Sequence, residues 1–114
     1  MSGQNPGDKM DTARTRLAEL AAKFLERSLG DVATMRAALA VGDAASLEQI
    51  QQLAHRMVGT GATLGFETIS DLAARVEDLL ENGGDLDEPA RAQLQAGMDA
   101  LDAEFGRIRG HSGR

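Results

Sequence analysis

The chain has no cysteine, tryptophan or tyrosine among its 114 residues, and only Phe24, Phe66 and Phe105 are aromatic. Without cysteine it can form no disulfide, no thiolate nucleophile and no cysteine-based zinc site. Its two histidines, His55 and His111, lie far apart in the sequence and provide too few nitrogen ligands for a metal site. These absences exclude cysteine-dependent enzymes and structural zinc modules.

Long apolar runs are also lacking. No stretch approaches the roughly 20 apolar residues that cross a bilayer, and the polar first ten residues lack the apolar core of a signal peptide. The formal net charge is −6, which argues against binding to nucleic acid or to anionic lipid. We therefore expect a soluble, cytoplasmic protein that binds neither nucleic acid nor membranes, with a monomer as the simplest oligomeric state.

Proline is scarce, with only Pro6 and Pro89, whereas alanine, leucine and glutamate are frequent. This composition predicts an all-α fold. Because short breaks between helices imply antiparallel neighbours, we predict an antiparallel up-down four-helix bundle with an additional N-terminal helix. The bundle is expected to span residues 10–109, after a flexible lead over 1–9 and before a disordered tail over 110–114.

Two helical segments are predicted in the N-terminal part of the chain. The first is marked by apolar residues at helical spacing, namely Leu17, Leu20, Ala21, Phe24 and Leu25. A break near Gly30-Asp31 would separate it from a second segment marked by Val32, Met35, Ala38 and Leu39. The sequence leaves open whether the two segments continue as one bent helix.

The next helix is predicted from about Ala44 to Leu64, with a capping region that starts at Asp43. At 100° per residue one apolar stripe contains Leu47, Ile50, Leu53, Ala54, Met57, Gly61 and Leu64. His55 falls well off the centre of this stripe, so its ring should meet solvent. The residues that share its side of the helix are Glu48, Gln51, Gln52, Gly59 and Ala62.

A hairpin is predicted around Gly65, a natural helix breaker, with the following helix over Glu67 to Glu81. His55 lies ten residues before Gly65 and Glu77 twelve after it, each at the edge of its apolar stripe. A hydrogen bond between the imidazole and the carboxylate is therefore plausible. It would keep the proton on Nδ1 and leave the Nε2 lone pair outward as a nucleophile.

The segment His55-Arg56-Met57-Val58-Gly59, followed by small residues and Leu64-Gly65-Phe66, resembles the histidine-containing phosphotransfer domain family of bacterial phosphorelays and chemotaxis kinases. That family's usual pattern is histidine, two variable residues, lysine and glycine, then small residues and Leu/Phe-Gly. It also tends to place a glutamate or glutamine on the next helix, where Glu77 stands. Val58 occupies the position of the family's lysine, whose ammonium stabilises the phosphoryl charge, and Lys23 or Arg27 of the first helix are alternative cations.

The resemblance implies that His55 accepts a phosphoryl group from a receiver aspartate, or from a histidine kinase, and passes it to another receiver domain. The chain would then be a stoichiometric phosphocarrier without its own kinase domain or cofactor, and Mg²⁺ would be held by the partner receiver. The surface predicted to face the receiver consists of Gly59, Gln51, Gln52, Arg56 and Ala62.

Two other interpretations are left open by the residues. In the first, the chain is a non-phosphorylated binding module that competes for or scaffolds a receiver or kinase, and Val58 is its main support. In the second, it is a helical adaptor in which His55 is incidental, since a lone histidine on an amphipathic helix is usually a solvated surface residue. His111, in a glycine-rich tail, is expected to be inert.

Overall fold

The computed structural model describes residues 6–81 and 86–112. They form four α-helices, which are α1 (Pro6–Val41), α2 (Ala44–Thr63), α3 (Glu67–Leu80) and α4 (Glu88–Ser112). No strand occurs among these residues, so the all-α fold predicted from composition is confirmed.

The helices form an antiparallel ring in which each helix packs against two others. Phe24 of α1 lies against Gly61 of α2, and Asp31 further along α1 pairs with Arg56 earlier on α2. Residue numbers therefore rise along α1 while they fall along α2, as antiparallel neighbours require. The up-down four-helix bundle is confirmed.

Two arginines join α4 to α1 and close the ring. Arg36 donates to Asp99 at 2.8 Å and to Asp102 at 2.7 Å. Arg91 donates from Nη1 to the carbonyl oxygen of Leu39 at 2.8 Å. This second bond satisfies a carbonyl in the last turn of α1, where helix geometry provides no partner.

The two predicted N-terminal segments are one continuous helix, so the additional N-terminal helix is not a separate element. Gly30 does not break it, because the core-facing residues on both sides, Ser28 and Val32, are each only 1% exposed. A glycine inside a helix costs about 1 kcal/mol relative to alanine. Burial of one continuous face on both sides of Gly30 outweighs that cost.

The first part of α1 extends beyond the bundle. All residues from 9 to 20 are exposed, including Leu17 at 56% and Leu20 at 53% of their reference area. Neither leucine joins the core, because α2, which runs antiparallel to α1, ends at Thr63, close to Gly61 and its neighbour Phe24. Core packing along α1 begins at Phe24, which is 5% exposed.

The predicted lead and tail overlap the described helices only in part. Residues 6–9 belong to α1 and residues 110–112 to α4. Residues 1–5, 82–85 and 113–114 lie outside the described residues. The limits of the domain at residues 10 and 109 stay a prediction.

The core contains the apolar stripes of all four helices. Its most deeply buried large side chains are Val32, Met35, Ile50, Ile69, Val76, Leu94, Met98, Leu101 and Phe105. Burial of a side chain of this size contributes about 1.5–3 kcal/mol relative to its exposure to water. These stripes fix the rotation of each helix and therefore which residues of α2 point away from the core.

The ends of α2 are defined by local signals that the sequence contains. Asp43 is the N-cap, and its carboxylate accepts a hydrogen bond from the Ser46 amide at 2.8 Å. Gly42 and Gly65, which flank α2, have positive φ angles of 75° and 87°. Glycine adopts this left-handed conformation without the steric cost that other residues incur. The chain therefore turns sharply on both sides of α2.

Candidate functional site

His55 lies on the outer surface of α2 with 77% of its side chain exposed. Its neighbour Ala54 and the next core residue, Met57, are buried at 0% and 2% exposure. Because the helix turns by about 100° per residue, burial of these two residues directs the imidazole outward. The predicted exposure of the ring is confirmed.

Glu77 of α3 lies beside the ring, as the hairpin geometry predicted. Nδ1 of His55 and Oε2 of Glu77 are 2.6 Å apart, and the Glu77 side chain is only 25% exposed. An ionised carboxylate can only accept hydrogen bonds, so the proton between these atoms belongs to Nδ1. In the neutral ring Nε2 then carries the lone pair and is the atom available to a reaction partner.

The close approach of α2 and α3 sets this distance. A Cβ atom built on the buried Gly61 would lie 3.5 Å from the Ser70 amide nitrogen and from the Phe66 carbonyl oxygen. The Phe66 amide donates to the carbonyl of Gly61 at 2.8 Å, and the Ser70 hydroxyl donates to the carbonyl of Val58 at 2.9 Å. An alanine at position 61 would make ordinary contacts, whereas a side chain that extends beyond Cβ would meet α3 and Phe24 and push the helices apart.

His55 opens on one side to a groove of about 530 Å³ between α1 and α2, which we call the α1–α2 groove. Its lining residues come from both helices and are Leu20, Lys23, Phe24, Arg27, His55, Arg56, Gly59, Thr60, Thr63 and Leu64. Phe24 stacks on Phe66 with ring centroids 5.5 Å apart, which gives the groove a rigid apolar floor. A visiting side chain or loop could therefore reach the ring from this direction.

The charge in the α1–α2 groove differs from that of the whole chain. Its lining includes Lys23, Arg27 and Arg56 and no carboxylate, although the formal net charge of the protein is −6. Arg56 lies 3.6 Å from the carboxylate of Asp31, which is itself 17% exposed. The space beside His55 thus favours an anion.

Comparison with known families agrees with this geometry. A family model described as Hpt domain matches residues 19–104. The chain belongs to the Hpt domain family. Domains of this family act in histidine phosphotransfer within phosphorelays, as carrier modules that interact with response regulators or kinases and are not themselves kinases. No curated protein and no solved structure matches the chain.

The matched region of this Hpt domain coincides with its packed part. The match begins at residue 19, close to Phe24, where α1 enters the core. It includes the whole of α2 and α3, and therefore both His55 and Glu77. Most of the exposed start of α1, residues 9–18, lies outside it.

The predicted receiver-facing residues of the Hpt domain divide into two sets. Arg56 and Gly59 line the α1–α2 groove beside His55, and a Cβ atom built on Gly59 would have no neighbour within 4 Å. Gln52 and Ala62 are exposed and Gln51 is half-buried on the same helix, but none of the three lines the groove. The groove beside His55 is therefore formed by α1 together with only part of the predicted surface of α2.

Val58, at the position of the family's usual lysine, is half-buried and packs against the core. It therefore places no charge beside His55. The residues of α1 that line the groove are Leu20, Lys23, Phe24 and Arg27, of which two are cations. Sequence reasoning named Lys23 and Arg27 only as alternatives, because helical spacing does not fix how α1 and α2 lie against each other.

Other site classes find little support in the part of the chain that is described. Among residues 6–81 and 86–112 no three His, Asp or Glu side chains are grouped so that they could hold a metal ion. None of the helices there combines the length and the hydropathy of a membrane span. A second groove of about 460 Å³ lies between α3 and α4, but it contains no histidine and does not adjoin His55.

Proposed function

We propose that His55 is the phosphoacceptor of this Hpt domain. It takes a phosphoryl group from the aspartyl phosphate of a receiver domain, or from a histidine kinase, and passes it to another receiver. The single observation that supports this assignment best is the contact between Nδ1 and Glu77 Oε2 at 2.6 Å on a ring whose side chain is 77% exposed. A held Nδ1 and an exposed Nε2 are what a histidine nucleophile requires.

The transfer from a receiver is an in-line displacement. The Nε2 lone pair of His55 forms a bond to phosphorus while the bond between phosphorus and the aspartyl oxygen breaks, and that bonding pair leaves on the carboxylate. No proton must be lost, because the Nδ1 proton stays on the ring. The reverse step, on a second receiver, returns the phosphoryl group to an aspartate and restores the neutral imidazole.

Glu77 acts as a positioning residue in this proposal. While Nε2 bonds to phosphorus the ring becomes an imidazolium, and its positive charge is balanced by the carboxylate at Nδ1. The same hydrogen bond limits rotation of the ring, so that Nε2 keeps one direction. Mg²⁺ would be contributed by the receiver, where it neutralises charge on the transferring group.

A second candidate function is a binding module that is never phosphorylated and competes for a receiver or kinase. The half-buried Val58 favours it, because the site lacks the cation that family members place there. In this case the α1–α2 groove would still bind a receiver, while His55 would be dispensable for the interaction.

Incubation with a radiolabelled phosphoreceiver separates the two candidates. The carrier proposal predicts an acid-labile, base-stable label on the wild type that disappears in His55→Gln. His111→Gln is the matched control, because the chain contains only these two histidines. Receiver binding without label, unchanged in His55→Gln, would support the binding module and contradict the carrier.

A further inference from the structure

We propose that α1 supplies the phosphoryl-binding cation of this site, with Arg27 as the principal group and Lys23 as its support. The inference rests on the proposed function of His55. It assigns to a different helix the charge that Val58 cannot provide, and it makes the α1–α2 groove part of the reaction site.

The packing of α1 on α2 places Arg27 opposite the part of α2 that contains Gly59, close to His55. Arg27 lies three residues after Phe24 and four before Asp31, so all three share one face of α1. Phe24 lies against Gly61 and Asp31 pairs with Arg56. Arg27 is therefore opposite the stretch of α2 between residues 56 and 61, within which Gly59 leaves open space beside His55.

Lys23 lies one turn before Arg27 on the same face, further from His55. Both residues line the α1–α2 groove together with His55 and Gly59. The flexible ammonium of Lys23 can interact with an anion only as a point charge. The guanidinium of Arg27 can bind two phosphoryl oxygens at once. Arg27 is accordingly the stronger candidate.

The pairing of the nearby charges supports this assignment. Among the described residues no ion pair involves Lys23 or Arg27, while Arg56 is directed to Asp31. Glu77 binds the opposite nitrogen of the ring and does not line the groove. Lys23 and Arg27, neither of which forms an ion pair among the described residues, thus line the same groove as His55 in an otherwise acidic protein.

These cations would act on the transferring group itself. The phosphoryl oxygens carry about two negative charges in the phosphohistidine and share that charge in the transition state. Positive groups held beside the acceptor nitrogen stabilise both states. Because the groove is open to solvent, each contact should be weaker than in an enclosed active site.

The test compares Arg27→Gln, Lys23→Gln and the double variant with the wild type, using a phosphorylated receiver at concentrations that saturate transfer. Arg16→Gln is the matched control, since Arg16 is an exposed cation on α1 that does not line the groove. We expect the maximal transfer rate to fall about three- to tenfold in Arg27→Gln and further in the double variant. Arg16→Gln should match the wild type, and circular dichroism should show unchanged folding in all four.

Two further variants separate a cation at the phosphoryl group from a structural role. Arg27→Lys should keep most of the rate, because it keeps the charge. Val58→Lys in the Arg27→Gln background should restore part of it, because it returns an ammonium to the usual position on α2.

An unchanged maximal rate in the double variant would overturn the inference, as would an effect confined to the receiver concentration at half-saturation. In either case the label on wild-type His55 would leave the proposed function intact. Absence of label on the wild type would instead overturn both.

Discussion

The Nδ1 atom of His55 on α2 lies 2.6 Å from the Oε2 atom of Glu77 on α3, across the hairpin that turns at Gly65. One side of the imidazole is therefore fixed by the protein, while 77% of the side chain is exposed. This combination gives an imidazole that is oriented and accessible at the same time, as the proposed nucleophile must be.

Loss of the Glu77 carboxylate should slow phosphoryl transfer without unfolding the bundle. We expect Glu77→Ala to reduce the transfer rate about tenfold, the lower end of the effect seen when the hydrogen-bond partner that orients a metal-binding histidine is removed. Glu77→Gln, which keeps an acceptor oxygen but loses the charge, should be intermediate. Rapid-quench kinetics measure the rates. Asp78→Ala, the adjacent exposed carboxylate, is the control, and equal rates for Glu77→Ala and the wild type would remove Glu77 from the mechanism.

Replacement of Gly59 by a larger residue should preserve the fold but weaken binding of the receiver. A leucine there has open space and improves helix propensity by up to about 1 kcal/mol, so thermal stability should rise slightly. The same side chain would occupy the approach to His55 and weaken receiver binding, measured by calorimetry. Gly106→Leu on α4 is the matched control, because Gly106 is also unobstructed. Undiminished receiver binding by Gly59→Leu would show that partners approach from another side.

Asp43 should make the stability of α2 depend on pH in the acid range. Its hydrogen bonds with Ser46 lower the pKa of the carboxyl below its ordinary value of 3.8. A lowered pKa in the folded state gives stability that is present above the unfolded pKa and lost as the pH falls through the folded one. Asp43→Ala should therefore lower Tm at pH 7, with a difference from the wild type that shrinks below pH 3.8.

Melting curves at several pH values provide the check. Asp43→Asn is the control, because asparagine keeps a side-chain acceptor for the N-cap but does not ionise. A Tm difference between Asp43→Ala and the wild type that stays constant down to the lowest pH would contradict the assignment.

Arg91 should stabilise the bundle and leave the reaction unaffected. Its guanidinium donates to the Leu39 carbonyl at 2.8 Å, at the junction of α4 with the end of α1. Arg91→Met should lower the free energy of unfolding by about 1–2 kcal/mol, because a charge-assisted bond is lost and a carbonyl is left without its partner. Urea unfolding measures this loss, with the exposed Arg109→Met as control. A reduced phosphotransfer rate in fully folded Arg91→Met would contradict this expectation and would link the α1–α4 junction to the site at His55.

Local patterns in the sequence predicted the parts of the site that lie on one hairpin. The apolar stripe through Ile50, Ala54 and Met57 fixed the outward direction of His55, and Gly65 marked the turn that brings Glu77 near. Both depend on helical periodicity and on a single glycine, which are properties of neighbouring residues. The hydrogen bond predicted between the two side chains is present.

Features that depend on packing between helices were harder to predict. Continuity of α1 through Gly30 depends on the core contacts of Ser28 and Val32, not on the local preference of glycine. The exposure of Leu17 and Leu20 follows from the lengths of the other helices. Likewise the position of Arg27 beside Gly59 depends on the register of α1 against α2, for which the α1 sequence contains no signal.

In the proposed mechanism Nε2 of His55 carries the phosphoryl group while Glu77 holds Nδ1. Nuclear magnetic resonance of protein labelled with ¹⁵N-histidine distinguishes the two ring nitrogens before and after phosphorylation. We predict a proton on Nδ1 in the free, neutral ring and a ³¹P–¹⁵N coupling to Nε2 of His55 in the phosphorylated protein. A phosphoryl group on Nδ1 of His55, or on His111, would contradict it.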